Sequence, residues 1–163
     1  MSRRAERRLV ECADALDALD RVAARTDRLA VRVPELSKWS IGQQVEHLAS
    51  ANGVCLGAAA VLLVGGDERI VASGSPTLFG RLVLIGGWIP RGKGRAPEAT
   101  VPEPEPDPAV VAQALQRGRQ TFDELRRDPS VLGAAPGRLP HPILGLFDAV
   151  DWVRFTALHV RHH

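Results

Sequence analysis

Three of the chain's five histidines fall in its last five residues, His159-Val160-Arg161-His162-His163; the other two are His47 and His141. Imidazole is the commonest protein ligand for metals and titrates near neutral pH, so such a cluster bears on both chemistries. Residues four apart on a helix differ by about 40° of rotation and 6 Å of rise. His159 and His163 therefore share a face, at a spacing that lets two imidazoles meet one ion. On a helical wheel they lie in line with Trp152 and Thr156, in the middle of the apolar face, while His162 sits at its border beside Asp151.

His47 lies on another helical segment. Ser40, Gln44, His47, Ala51, Val54 and Ala58 run along one flank of its apolar stripe, and most of them are small. One inward His beside small residues, facing an inward pair on a second helix, makes a three-ligand site for a divalent metal. Three neutral imidazoles leave the ion its full charge and an open position, where bound water is acidified and a thiol loses its proton. Nitrogens of His47 and His159 sharing an ion would lie about 3–4 Å apart. The competing reading is plainer: a core histidine satisfied by its neighbours, and a terminal His pair in solvent. His141 precedes Pro142, which favours an extended loop and a packing role over ligation. Cys55, two turns beyond His47, reads as a buried, inert thiol.

Four long helical segments must position these residues. Segment 2–29 carries Leu9, Cys12, Leu16, Leu19 and Ala23 at helical spacing. Segment 40–64 opens on Ser40 and Gln43, a capping box, with Trp39 before it, and closes on Gly65-Gly66. Segment 107–127 starts with Asp107-Pro108 and stops at Asp128-Pro129. Segment 147–163 carries the His cluster, with Asp148 and Asp151 in its first turn. Residues 77–89 add a short helix. The Pro-rich stretch from Pro90 to Pro108 reads as an extended crossover that lets the second and third long helices run parallel. Strand signals are nearly absent, so the expected fold is all-α, a four-helix bundle in one domain, 1–163.

Composition narrows the function. Hydrophobic residues make up 45% and charged residues 25%, the balance of an ordinary globular chain. Of 21 basic residues only Lys38 and Lys93 are Lys, and the arginines are interleaved with Asp and Glu along the chain. That is compositional bias rather than a nucleic-acid footprint. Two cysteines, Cys12 and Cys55, exclude a disulfide scaffold and a four-Cys metal site. Residues 49–66 carry no charge, which raises a membrane-associated reading; Ser50, Asn52 and the glycines weaken it. Gly86-Gly87 and Gly92-Lys93-Gly94 lack the spacing of a phosphate loop. The N-terminus has no apolar signal region, so a cytoplasmic, reducing location with free thiols is the expectation.

The run Trp39-Ser40-Ile41-Gly42-Gln43-Gln44-Val45-Glu46-His47-Leu48, with a last helix carrying His159, His162 and His163, resembles the DinB/YfiT-like superfamily. His141-Pro142-Ile143-Leu144-Gly145, followed by Trp152 and Phe155, resembles one of its branches, the DUF1569 family. The resemblance implies an up-down-down-up four-helix bundle whose metal ligands map to His47, His159 and His163. It further implies a divalent ion, zinc or nickel foremost, and thiol S-transfer: a metal-activated low-molecular-weight thiolate attacking a small electrophile. Ala51, Val54, Trp152 and Thr156 are the residues expected to wall the electrophile's pocket. The alternative is a non-catalytic bundle acting in binding or assembly. Among partners, no nucleic acid is expected, a membrane is disfavoured, and a homodimer stays open.

Overall fold

Local capping chemistry sets most of the helix boundaries. The computed structural model describes residues 2–90 and 96–163. Helix α1 (Arg3–Ala23) starts from the Ser2 hydroxyl, which accepts from the Ala5 N–H. Helix α2 (Ile41–Val64) starts from the expected capping box: Ser40 accepts from Gln43 N–H, and the Gln43 side chain accepts from Ser40 N–H. It ends at Gly65 and Gly66, both at positive φ, where only glycine fits without strain. A short helix α3 (Leu78–Gly86) is capped by Thr77. Helix α4 (Pro108–Leu125) is capped by Asp107.

Three expectations need correction. The first long helix ends at Ala23 rather than 29, because residues 29–31 serve α2 instead. Leu29 and Val31 carbonyls accept from the Gly42 and Ile41 N–H groups, two of the four donors a helix start leaves open. Asp128-Pro129 stops α4 but also starts another helix, α5 (Pro129–Ala134), with Asp128 as its cap. Residues 139–147 form an antiparallel ribbon, β1 (Leu139–His141) with β2 (Gly145–Phe147), paired Leu139 to Phe147 and His141 to Gly145. The last helix, α6 (Ala149–His162), therefore begins after Phe147. Asp148 caps it, and Asp151 returns the bond to complete a capping box. Of the Pro-rich crossover, residues 91–95, with Gly92-Lys93-Gly94, lie outside the described residues. The remainder holds one 3₁₀ turn, Glu98–Thr100.

Contacts fix the helix directions. Arg4 pairs with Asp148 and Asp151, and Glu11 with Arg154, so α1 and α6 run parallel. His47 meets His159 while Cys55 meets Thr156, so α2 opposes α6. Gln43 donates to the Glu103 and Pro104 carbonyls just before α4. Further along, Ala49 and Asn52 face Ala114 and Gly118, so α2 and α4 run parallel. The result is up-down-down-up, all-α. Phe122, Phe147, Leu56, Leu62 and Leu125 are among its fully buried large side chains. Helix α2 is long and apolar enough to cross a membrane; half of that stretch is buried inside the bundle.

Candidate metal centre

Helix α2 brings His47, and the last turn of α6 brings His159 and His163, to one end of the bundle. One nitrogen from each lies within 4.8 Å of the others. His47 is 3% exposed, His159 half-buried and His163 exposed, so the cluster opens on its His163 side. Ring centroids are 4.8–5.0 Å apart. Trp39, just before the α2 cap, lies 4.9 Å from the His47 ring and stacks over His163 at 6.3 Å. His163 Nδ1 lies 3.4 Å from Gln44 Oε1, and the His163 N–H donates to the His159 carbonyl.

Proton placement follows from the partners. His47 Nδ1 is 2.7 Å from the Thr100 carbonyl, so it donates, and Nε2 is left with a lone pair. That Nε2 is 3.2 Å from His159 Nε2. Two facing lone pairs at this distance repel, so in the metal-free chain His159 carries its proton on Nε2 and donates it to His47. His159 Nδ1 is then a bare acceptor, buried without a partner. Burial lowers the His47 pKa against the opposing effect of Thr100. Burial, then the neighbouring His163 and His47, push His159 down to about 3. Both rings are neutral at pH 7.

The donor set fits a divalent ion. Two metal–nitrogen bonds of 2.0–2.1 Å at a tetrahedral angle separate their nitrogens by about 3.3 Å, close to the observed gap. The Thr100 carbonyl supplies the outer hydrogen bond that metal-ligating histidines ordinarily make. Among the described residues no carboxylate joins the cluster; Glu46, next to His47 in sequence, accepts from Glu103 N–H, and Asp151 pairs with Arg4.

One model of a known family matches residues 4–163, and its description is the DinB superfamily. The chain belongs to the DinB superfamily. No curated protein and no solved structure matches it. DinB membership together with the His cluster fits a metal-dependent enzyme.

Beside the histidines lies a cavity of about 320 Å³. Ala51, Val54 and Trp152 line it, and Val54 is 59% exposed at its rim. Thr156 does not. It is fully buried, its hydroxyl donates to the Trp152 carbonyl, and it faces Cys55 in the α2–α6 seam. The wheel placed Thr156 on the right face but could not show that this depth of the seam is closed. Cys55 lines the cavity instead, with burial pushing its thiol up to about 12. Two features escaped sequence reasoning, the Thr100 carbonyl and the place of His141 in the cavity wall. The Thr100 carbonyl carries no side-chain signal. Phe155, which the sequence allows either as core or as a pocket wall, stacks on His159 at 5.6 Å and walls the cavity. His141 also lines the cavity.

Proposed function

We propose that this chain is a divalent-metal-dependent enzyme of thiol S-transfer, with His47, His159 and His163 as ligands. The observation that carries the reading is the facing pair of His47 and His159 nitrogens, 3.2 Å apart, at the edge of an apolar cavity. When bound, a divalent ion on three neutral imidazoles keeps its full charge and acidifies a thiol that reaches it. Zinc and nickel suit three nitrogen donors.

The chain's own part is to bind and orient. Thr100 and Trp39 hold His47 and His163 in place, and Trp152 and Phe155 keep the electrophile's body out of water. In the transfer the sulfur–carbon bond forms as the carbon–leaving-group bond breaks, the leaving group departs with its electron pair, and the thiol proton passes to solvent. No side-chain base is needed, which agrees with Glu46 and Asp151 being tied up elsewhere. A cytoplasmic location, where low-molecular-weight thiols stay reduced, goes with the reading.

The test is conjugation of bacillithiol, mycothiol and glutathione to monochlorobimane, with and without zinc, nickel or manganese. Metal content is measured on protein carrying no affinity tag. Metal-dependent turnover with one of the thiols is expected. None above the uncatalysed rate with any of them, in metal-loaded protein, sinks the transferase reading and leaves the family assignment standing.

A further inference from the structure

The β1–β2 turn sets one more imidazole against the cavity, and its proton is fixed by the backbone. His141 Nδ1 lies 3.2 Å from the backbone nitrogens of Ile143 and of Leu144. Both nitrogens are donors, so Nδ1 accepts and bears no proton. Burial lowers the His141 pKa to about 4, so the ring is neutral at pH 7. A neutral imidazole with an accepting Nδ1 carries its proton on Nε2. The ring is wedged among Phe147, Trp152 and Phe155, with centroids 5.2, 5.5 and 4.7 Å away, which holds that tautomer in one orientation. A second N–H on the same wall, the buried Trp152 Nε1, has no acceptor. Trp152 Nε1 presents no surface to a ligand, so the donor this part of the cavity offers is the His141 Nε2–H, among apolar surfaces supplied by Val83, Leu144 and Phe155.

We propose that the cavity takes a small uncharged molecule with an apolar body and one oxygen acceptor, and that His141 selects it by donating from Nε2 to that oxygen. The proposal rests on the reading that cavity and histidines form one site, and it names the class of electrophile admitted there. A locked donor favours a ketone, ester or epoxide oxygen over a group that can only donate. Burial among rings, with no carboxylate among the described lining residues, disfavours a cationic body, and an anionic group would be drawn to the ion rather than to His141.

Acetophenone and α-methylstyrene test this, because they differ only in oxygen against CH₂. Binding is followed by NMR on the full chain, metal-free in chelator and again with zinc, reading the His141 ring nitrogens by long-range proton–nitrogen correlation. We expect the Nε2–H tautomer, a shift of that nitrogen on adding acetophenone, and binding of acetophenone about 3- to 10-fold tighter than of α-methylstyrene. His141→Asn keeps an acceptor for the turn's N–H groups, as Asx turns do, but removes the distal donor. It should erase the preference. An Nδ1–H tautomer, equal affinities, no binding of either probe, or a preference that survives in His141→Asn would each overturn the proposal. The wild-type tautomer decides even if the variant fails to fold. The chelator arm separates outcomes: lost thiol transfer leaves a ketone preference standing, and a lost preference leaves metal binding standing.

Discussion

In the proposed metal site, His47 is prepared as a ligand by an atom that is not a side chain. The Thr100 carbonyl takes the Nδ1 proton and so leaves the Nε2 lone pair facing His159. His47→Ala should therefore abolish the stabilisation that metal confers, and in the absence of metal should cost about 1–3 kcal/mol, because the Thr100 carbonyl loses its buried donor. An ion at 100 times its Kd adds about 2.7 kcal/mol to the folded state, a rise in melting temperature that a thermal scan resolves. Wild type should show that rise with zinc or nickel and the variant should not; equal shifts in both would remove His47 from the site. His141 gives a second expectation. Its folded pKa of about 4 lies below the ordinary 6.5, so the folded state prefers the neutral ring. That preference contributes fully above pH 6.5. It is lost as pH falls towards 4, because the unfolded chain takes up the proton first. With solvent screening allowed for, the effect is on the order of 2 kcal/mol. Urea unfolding between pH 7 and pH 4 should show a smaller loss in His141→Asn than in wild type, the rest of the loss coming from His47 and His159; parallel curves would mean the His141 ring is not held neutral.

At the scale of elements, the sequence was most legible where signals are local. Ser40 with Gln43, Asp107-Pro108 and Gly65-Gly66 mark helix ends through bonds made within a few residues, and the structure uses all of them. The misjudged stretches depend on distant partners. Nothing near Leu29 announces that its carbonyl serves Gly42, at a spot where an added Cβ would sit 3.1 Å from that oxygen. The ribbon has three residues per strand, one of them Pro140, too few to show alternation, and isolated bridges to Val71 and Pro76 support it. Of the candidate site, the helical wheel put His159 and His163 on one inward face; His159 is half-buried there, but His163, in the last turn, is exposed, and the depth of Thr156 depends on how tightly α2 and α6 close. The seam between α1 and α6 carries its own expectation. Glu11 accepts from Arg8 at 2.7 Å and from the buried Arg154 at 2.6 Å, and Arg154 also reaches the Leu84 carbonyl of α3. Glu11→Ala leaves the Arg154 guanidinium buried without its carboxylate, which should cost about 2–3 kcal/mol. A loss under 1 kcal/mol in denaturant unfolding would show that water replaces the pair.

For the whole molecule, the core extends well beyond the His cluster, from Val45 and Leu48 beside His47 to Leu62 near the far end of α2. Large, fully buried side chains such as Phe122, Phe147, Leu56, Leu62 and Leu125 come from α2, α4 and the ribbon, and none of them belongs to the His cluster. At the site end, side chains and backbone already hold the histidines together: Thr100 on His47, Phe155 on His159, and Trp39 over His163. The fold therefore does not depend on the ion in the way a small zinc finger does, where the metal supplies the folding energy. Chelation should leave the helical circular dichroism intact and lower the melting temperature by only about 5–10 °C, the shift that roughly 2.7 kcal/mol produces in a chain of this size. The loss should be local. Amide exchange should quicken in the last turn of α6 and around Thr100, where ligands and their supports sit, and stay slow around Leu56 and Phe122. Global unfolding on chelation, or uniform loss of protection, would mean that the ion organises the bundle rather than occupying a site the bundle has already built.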